Sequence, residues 1–213
     1  MITYNDIDCI LQKLSQRVDC FLSECQFQHE LAREIREYFI LQGISNQYEI
    51  ELELPSNNLP KRIYYDLIIK DKTTNEYCVI ELKYKTKKEK VVYKSEKYIL
   101  TEHAAVGNAR FDFLKDIERL ENFGQDNKGR TFALGFAIFL TNTKSYQNNV
   151  TTANYSEFSI AKHLISSGTK RWKGGIHTGR YNSTVNLKGQ YKVDWKNYGN
   201  NGWYYLIIKV QKM

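Results

Sequence analysis

The sequence predicts an α/β domain whose core runs helix, three strands, helix, strand. Three observations predict this class. Residues 23–41 show helical spacing of apolar side chains, residues 48–54 alternate strictly between polar and apolar, and residues 131–141 form a nearly continuous apolar run. Helical spacing indicates one buried helix face, alternation indicates a half-buried strand, and a continuous apolar run is typical of a central buried strand.

Length and composition favour one globular domain over residues 1–213. The chain has 213 residues, of which 42% are hydrophobic and 26% are charged. This balance excludes a disordered chain. No apolar run reaches the roughly 18 residues that a membrane span needs. The first residues include Asp6 and Asp8 and no basic region, so we expect no secretory signal and a cytoplasmic protein.

The cysteine pattern agrees with a cytoplasmic location. The four cysteines show no C-x-x-C spacing, and they are Cys9, Cys20, Cys25 and Cys78. We interpret them as reduced thiols rather than as a disulfide framework or a zinc site.

Two helices are predicted before the first strand. Residues 2–22 have helical spacing, and Ser23 with Gln26 three residues later forms a capping-box pattern that begins the second helix. That helix is expected to end near Leu41, because Gly43 is a suitable stop.

The remaining elements follow in order. Residues 62–70 and 77–84 are predicted strands joined by a short polar link, and therefore form an antiparallel hairpin. A lysine-rich stretch covers residues 83–97, and a helix is predicted over about 102–123 before the strand at 131–141. Residues 144–213 are interpreted as a basic, β-rich extension of a core that covers about 20–143, ending in a strand at 203–210.

Charge is distributed unevenly along the chain. The net charge is +7, and residues 159–213 carry ten Lys and Arg against a single acid, Asp194. A basic segment with interleaved Tyr and Trp suits a polyanionic partner, although it also suits a merely soluble surface. The residues expected to contact nucleic-acid phosphates are Lys170, Arg171, Lys173 and Arg180.

The hairpin carries the pattern with the clearest chemistry. With its centre between Thr73 and Thr74, Asp66 lies opposite Glu81, with Cβ atoms about 5 Å apart, and Lys83 shares the face of Glu81. Both acids lie in otherwise apolar strands and require a partner. A divalent cation, usually Mg²⁺, would compensate their repulsion, and Lys83 could hold an attacking water or steady a phosphate. The alternative is a surface hairpin in which Lys83 pairs with a carboxylate.

Polar side chains also interrupt the apolar faces of both helices. Glu24 lies at the centre of the apolar face of the helix at 23–41, and Gln28 faces the same way. Arg110 lies on the apolar face of the next predicted helix, where it would need an anion, either a carboxylate of the site or a substrate phosphate, and we expect it to bind nucleic acid. His103 faces the same way. The alternative for Glu24 is a first-turn acid that complements the helix dipole. The alternative for Arg110 is a side chain that reaches the edge of the core, and for His103 it is a structural role.

Together these motifs resemble the PD-(D/E)xK nuclease superfamily, whose fold is restriction-endonuclease-like, over about residues 20–143. A narrower resemblance is to a bacterial branch of it. The segments that carry the narrower resemblance are Ser23-Glu24-x-x-Phe27-Gln28-x-x-Leu31-Ala32, Ile80-Glu81-Leu82-Lys83-Tyr84-Lys85-Thr86, Arg110-Phe111-Asp112-Phe113-Leu114-Lys115-Asp116 and Phe139-Leu140-Thr141-Asn142.

The resemblance implies an αβββαβ core with a mixed sheet and a metal-dependent nuclease. It implies that Asp66 and Glu81 bind Mg²⁺ or Mn²⁺, that Glu24 joins the metal site, and that Lys83 assists the nucleophilic water. Tyr65 stands where the nominal proline of the motif would be.

The expected partner is nucleic acid, with double-stranded DNA preferred over RNA. No membrane partner is expected, and a homodimer is left open. Two other classes also remain open: a nucleic-acid-binding or protein-binding module with a vestigial site, and an interaction protein of the toxin or antitoxin type.

Overall fold

The computed structural model describes residues 1–57, 63–174 and 179–212, without the side chains of residues 125, 126 and 180. A central sheet separates two apolar cores. One core lies under the first two helices, and the other lies between the sheet, the third helix and the last third of the chain. None of the helices in the described parts of the chain has the length and apolarity that crossing a bilayer requires.

The first two helices form one layer. Helix α1 covers Tyr4–Arg17 and begins at a Thr3 cap, while helix α2 covers Glu24–Leu41. Ser23 accepts a hydrogen bond from the backbone N–H of Gln26 at 3.1 Å, which confirms the predicted start of α2. Just beyond its end, Gly43 has a φ of 71°, a left-handed conformation that glycine adopts without a steric cost.

Three antiparallel strands follow: β1 (Tyr48–Pro55), β2 (Tyr64–Asp71) and β3 (Glu76–Lys85). The predicted start of β2 at Arg62 lies outside the described residues. The predicted hairpin and its register are confirmed, because Leu67 pairs with Ile80 and Ile68 with Val79. The ladder ends at Leu67 and Ile80, and the residues that follow it on the two strands are Asp66 and Glu81.

A two-stranded ribbon follows β3 where the sequence showed only a lysine-rich stretch. Strands β4 (Glu89–Tyr93) and β5 (Glu96–Leu100) pair with each other outside the central sheet. Lys94 and Ser95 form the two-residue turn with φ values of 50° and 69°. Positive φ at both positions is the geometry of a tight hairpin turn, which usually recruits Asn or Gly. We call Glu89–Leu100 the basic ribbon.

The third helix begins later than predicted. Helix α3 covers Val106–Glu121, the short α4 covers Phe123–Asp126, and the buried strand β6 covers Thr131–Thr141. Strand β6 runs parallel to β3, with Glu81 beside Ala137 and Lys83 beside Phe139. This parallel pair makes the sheet mixed, as predicted.

The sequence suggested that the last third of the chain extends outside the core. The structure corrects this prediction, because that part of the chain belongs to the core. It contains β7 (Ile165–Lys170), β8 (Val185–Lys192), β9 (Trp195–Tyr198) and β10 (Trp203–Gln211). Strand β10 pairs with β6, and the six-stranded sheet has the order β1-β2-β3-β6-β10-β9. Strands β7 and β8 form a separate pair packed on α3.

Candidate active site

Asp66 and Glu81 lie close together just beyond the paired part of the β2–β3 hairpin, where the charge of Asp66 raises the pKa of Glu81. One Asp66 oxygen, Oδ2, accepts a hydrogen bond from the backbone N–H of Leu82 at 2.6 Å. Glu81 is only 2% exposed, although it is charged in water at neutral pH. The apolar strands around these acids therefore bury Glu81 and partly bury Asp66.

Burial makes both carboxyl groups hard to ionise. It raises the pKa of Asp66 to about 6, and repulsion from Asp116 and Glu24 adds to the effect. Burial also raises the pKa of Glu81 well above its usual range, and Asp116 and Asp66 act in the same direction, against the attraction of Arg119. Desolvated neighbouring acids of this kind are stabilised by an added cation.

Two basic side chains already lie among the acids. The Lys83 ammonium is 2.8 Å from Oδ2 of Asp116, and Arg119 reaches both Oε1 of Glu81 at 3.0 Å and Oδ1 of Asp116 at 2.8 Å. Burial alone would lower the pKa of Lys83, but Asp116 outweighs it and raises that pKa. Lys83 therefore carries its positive charge throughout the physiological range.

The sequence analysis gave Asp116 and Arg119 no role in the site. Asp116 is 1% exposed, and Arg119 crosses from α3 to β3. Their separation of three residues is an ion-pair spacing on a helix. That spacing was the available signal, but it could not show that this face of α3 turns toward the hairpin.

Glu24 lies near the acids without completing a three-acid group. Its Oε2 accepts a hydrogen bond from the backbone N–H of Tyr84 at 2.6 Å, and Lys85 is 4.0 Å away. Within residues 1–57, 63–174 and 179–212, no three His, Cys, Asp or Glu side chains form a group ready to hold a metal ion. Glu24 is nevertheless near enough to raise the pKa of Asp66, and its place in the metal site stays a prediction.

Gln28 supports the backbone beside Asp66. Its side-chain amide donates to the carbonyl oxygen of Asp66 at 2.5 Å and to Oε1 of Glu53 at 2.9 Å. Glu53 has a φ of 53°, a conformation that costs a non-glycine residue roughly 1–2 kcal/mol. Gln28 thus faces inward as predicted and joins α2 to β1 and β2.

His103 anchors the chain at the base of the basic ribbon. Its Nδ1 accepts from the backbone N–H of Thr86 at 3.1 Å, and its own backbone N–H donates to the Thr86 carbonyl at 2.8 Å. Burial and the nearby Lys85 lower the pKa of His103. These contacts match the structural alternative for this histidine.

Arg110 was expected to bind a phosphate, and the structure contradicts that role. The side chain is fully buried, and its guanidinium donates to the carbonyl oxygens of Ser145 at 3.0 Å and Asn148 at 3.2 Å. It also lies over the Tyr146 ring at 5.7 Å. Arg110 therefore attaches α3 to the segment after β6 and has no surface to offer a nucleic acid.

The basic residues of the last third fall into different environments. Arg171 and Lys173 are exposed, whereas Lys170 is half-buried, and burial lowers its pKa. The side chain of Arg180 lies outside the description. Of the nearby aromatic side chains, Trp172, Tyr191 and Trp195 are buried in the core against α3, whereas Tyr181 is 41% exposed.

Two cavities adjoin the acid cluster. The larger, of about 600 Å³, opens beside Arg119 between the start of β2 and α3. The smaller, of about 310 Å³, contains Glu24, Lys85 and His103 at the base of the basic ribbon. Both sides of the cluster are therefore reachable from solvent.

A comparison with protein-family models, curated proteins and solved structures found no match. The functional interpretation therefore depends on the side chains of this chain.

Proposed function

We propose that the protein is a metal-dependent phosphodiesterase that hydrolyses DNA, built on a restriction-endonuclease-like core. The observation that supports this most directly is the proximity of the buried Glu81 to the half-buried Asp66, with Lys83 one pleat further along the strand of Glu81. Such an arrangement costs stability unless a cation neutralises the acids, and perturbed carboxyl groups of this type concentrate at functional sites.

The donor set fits Mg²⁺ or Mn²⁺. Both ions prefer oxygen ligands, and Mg²⁺ is commonly held by one or two carboxylates with water and substrate phosphate at the other positions. Asp66 and Glu81 would hold the ion, and Glu24 would act at longer range through its charge. Binding requires Arg119 to give up its contact with Glu81, while Asp116 remains available to it.

The protein groups each have a defined task in hydrolysis. A bound divalent ion supplies positive charge against the phosphoryl oxygens. Lys83, held by Asp116, donates hydrogen bonds to the attacking water or to the phosphate as negative charge develops. Gln28 fixes the backbone of Asp66, so that its carboxylate is oriented before substrate arrives. Water adds to phosphorus, and the P–O bond to the leaving strand breaks.

Calorimetric titration with Mn²⁺ and cleavage of duplex DNA test the proposal together. We expect the native protein to bind Mn²⁺ and to cleave only with a divalent ion. Asp66→Asn and Glu81→Gln should each weaken Mn²⁺ binding at least tenfold and lower cleavage by about a thousandfold, because a metal supplies several kcal/mol of transition-state stabilisation.

Glu34→Gln is the matched control for both variants. Glu34 is also a buried acid, at 1% exposed, but it lies between α1 and α2 and pairs with Lys13 and Arg17. This variant should retain Mn²⁺ binding and cleavage. Cleavage that persists in EDTA, or that survives both Asp66→Asn and Glu81→Gln, would contradict the proposal.

A second candidate is a nucleic-acid-binding module in which the acid cluster is structural. The ion pairs Lys83–Asp116 and Arg119–Glu81 favour it, because they already neutralise part of the cluster without a metal. The same titration separates the two functions. A folded native protein that binds DNA but takes up no Mn²⁺ would identify the binding module.

A further inference from the structure

The basic ribbon presents a two-sided surface beside the candidate active site. Its strands pair in register, with Lys90 opposite Ile99 and Val92 opposite Lys97. Because side chains alternate between the faces of a strand, these four residues lie on one face. All four are exposed, and Val92 and Ile99 are 65% and 61% exposed.

The opposite face of the basic ribbon is fixed to the body of the protein. Leu100 is buried in the core under α2, and Val91 and Tyr93 pack against the same core. At the base, Asn142 accepts from the backbone N–H of Lys87 at 2.8 Å and donates to Oε2 of Glu89 at 2.6 Å. The ribbon therefore holds a defined position relative to β3 and β6, and does not need to be ordered when a partner binds.

The charge of the outer face suits a polyanion. Five lysines on or next to the ribbon are exposed, namely Lys87, Lys88, Lys90, Lys94 and Lys97. Glu89 is turned toward Asn142, and Glu96 accepts a hydrogen bond from the Tyr98 hydroxyl at 2.5 Å. The two aliphatic side chains thus lie at the centre of a surface whose edges are positive.

Distance along the chain relates the ribbon to the candidate site. Lys90 follows Lys83 by seven residues, which span at most about 25 Å. That length corresponds to about seven base pairs of duplex DNA, since each pair rises by about 3.4 Å. One duplex lying across the sheet end can therefore contact the ribbon and the site together.

We propose that the basic ribbon enters the major groove of B-form DNA and places the duplex over the candidate site, an inference that rests on the proposed function. Lys90 and Lys97 contact phosphates on the two sides of the groove, and Val92 and Ile99 face the base edges. The major groove of B-form DNA is about 12 Å wide and admits a two-stranded ribbon.

The same geometry selects DNA over double-stranded RNA. The major groove of an A-form RNA duplex is deep and narrow, and side chains cannot reach its base edges. The ribbon should therefore bind an RNA duplex only through peripheral phosphate contacts. This identifies the substrate class that the acid cluster alone does not distinguish.

Fluorescence anisotropy with matched 20-base-pair DNA and RNA duplexes tests the proposal, in EDTA and at several salt concentrations. Each phosphate contact contributes about 0.9 to the slope of log K against log salt. Lys90→Gln/Lys97→Gln should lower that slope by about 2 on DNA. The control, Lys72→Gln/Lys128→Gln, removes two exposed lysines at the opposite end of the sheet and should leave the slope unchanged.

The aliphatic pair has its own test. Val92→Ser/Ile99→Ser should weaken DNA binding about tenfold without changing the salt slope, and should leave the weaker RNA binding unchanged. Because both side chains are exposed, the variant should retain the native melting temperature. The proposal would be overturned if Lys90→Gln/Lys97→Gln and its control changed the salt slope equally. It would also be overturned if Val92→Ser/Ile99→Ser weakened binding to DNA and to RNA equally. Loss of a dimer in sedimentation of Val92→Ser/Ile99→Ser with DNA affinity unchanged would overturn it too, and would assign the face to a second copy.

The binding assay needs no divalent ion, so its outcome is independent of catalysis. If Lys90→Gln/Lys97→Gln leaves the salt slope unchanged while cleavage still requires Asp66, the ribbon proposal is wrong and the proposed hydrolytic function stands. Ribbon-dependent DNA binding in a protein that takes up no Mn²⁺ would instead remove the hydrolytic function.

Discussion

Buried carboxylates in two places, on different layers of the molecule, are neutralised by neighbouring bases to different extents. In the first, Glu34 lies between α1 and α2, with Lys13 at 2.6 Å and Arg17 at 3.2 Å. The side chains of these two bases are 53% and 38% exposed, so their charges remain partly hydrated. The single buried acid has two accessible partners, and the arrangement needs no additional ion.

The hairpin cluster contains more acid than base. Among the described residues, Asp66, Glu81 and Asp116 have Lys83 and Arg119 as basic neighbours, and Glu24 adds a fourth carboxylate with Lys85 at 4.0 Å. Burial deprives these charges of water, and the protein supplies incomplete compensation. The comparison shows that burial of an acid is not itself a functional signal. An excess of buried acid over base is the feature that distinguishes the hairpin cluster.

The largest effect beyond loss of the metal ligands is expected at Lys83. Lys83→Met should lower the rate of DNA cleavage by about a hundredfold to a thousandfold, the usual effect of removing one group that stabilises developing charge. Mn²⁺ affinity should change much less, because a protonated lysine cannot be a ligand. Single-turnover cleavage and calorimetric titration on the same preparation measure the two quantities.

A double variant separates catalysis from stability at this position. Lys83→Met leaves Asp116 with Arg119 alone, and should lower the free energy of unfolding by about 1–3 kcal/mol. Lys83→Met/Asp116→Asn should restore stability without restoring cleavage. If the double variant regains the native rate, the role of Lys83 is structural.

The next effect is a pH dependence that Asp66 imposes on the metal-free protein. Its pKa is about 6 in the folded chain against 3.8 in the unfolded chain. The folded state therefore binds the extra proton between these values, and the free energy of unfolding falls as pH rises from about 4 to about 6. The shift corresponds to about 3 kcal/mol at most.

Urea unfolding in EDTA from pH 4 to pH 7.5 measures this dependence. Asp66→Asn should match the native protein near pH 4 and exceed its stability at pH 7.5. Saturating Mn²⁺ should reverse the order at pH 7.5, because only the native carboxylate gains from the ion. If the stability of the native protein and that of Asp66→Asn change with pH in parallel, Asp66 is not the cause of the pH dependence.

The smallest effect contrasts the two clusters directly at pH 7.5 without metal. Glu34→Gln should lower the free energy of unfolding by about 1–2 kcal/mol, because Lys13 and Arg17 lose a charged partner. Glu81→Gln should leave it unchanged or raise it, since repulsion from Asp116 and Asp66 disappears while Arg119 keeps Asp116. Thermal unfolding of the two variants provides the comparison. A clear loss of stability in Glu81→Gln would show that the carboxylate of Glu81, like that of Glu34, stabilises the fold through its ion pair.

Local pattern was sufficient where the relevant contacts are close in sequence. The Ser23 cap, strand β1 and the hairpin of β2 and β3 were predicted from local signals and are confirmed, although burial along β1 does not alternate and Leu52 is 40% exposed. Register in a tight hairpin follows from its turn, so the pairing of Leu67 with Ile80 could be derived without tertiary information.

Local pattern was insufficient for α3 and the basic ribbon. A helical wheel assumes one buried face, but α3 is covered by the hairpin on one side and by the last third of the chain on another, so both Arg110 and Asp116 are buried. The ribbon turn at Lys94 and Ser95 lacks the usual Asn or Gly, which concealed a hairpin that packing on the core of α2 stabilises.

The sequence by itself determined the α/β class, the hairpin, and the shared face of Asp66, Glu81 and Lys83, because each depends on periodicity or on a turn of a few residues. Only the tertiary structure decided that Arg119 and Asp116 enter the cluster, and that β10 belongs to the central sheet. These contacts join residues more than thirty positions apart. These contacts form only when the packing of the whole chain buries particular faces of the helices. No local sequence pattern determines which faces are buried.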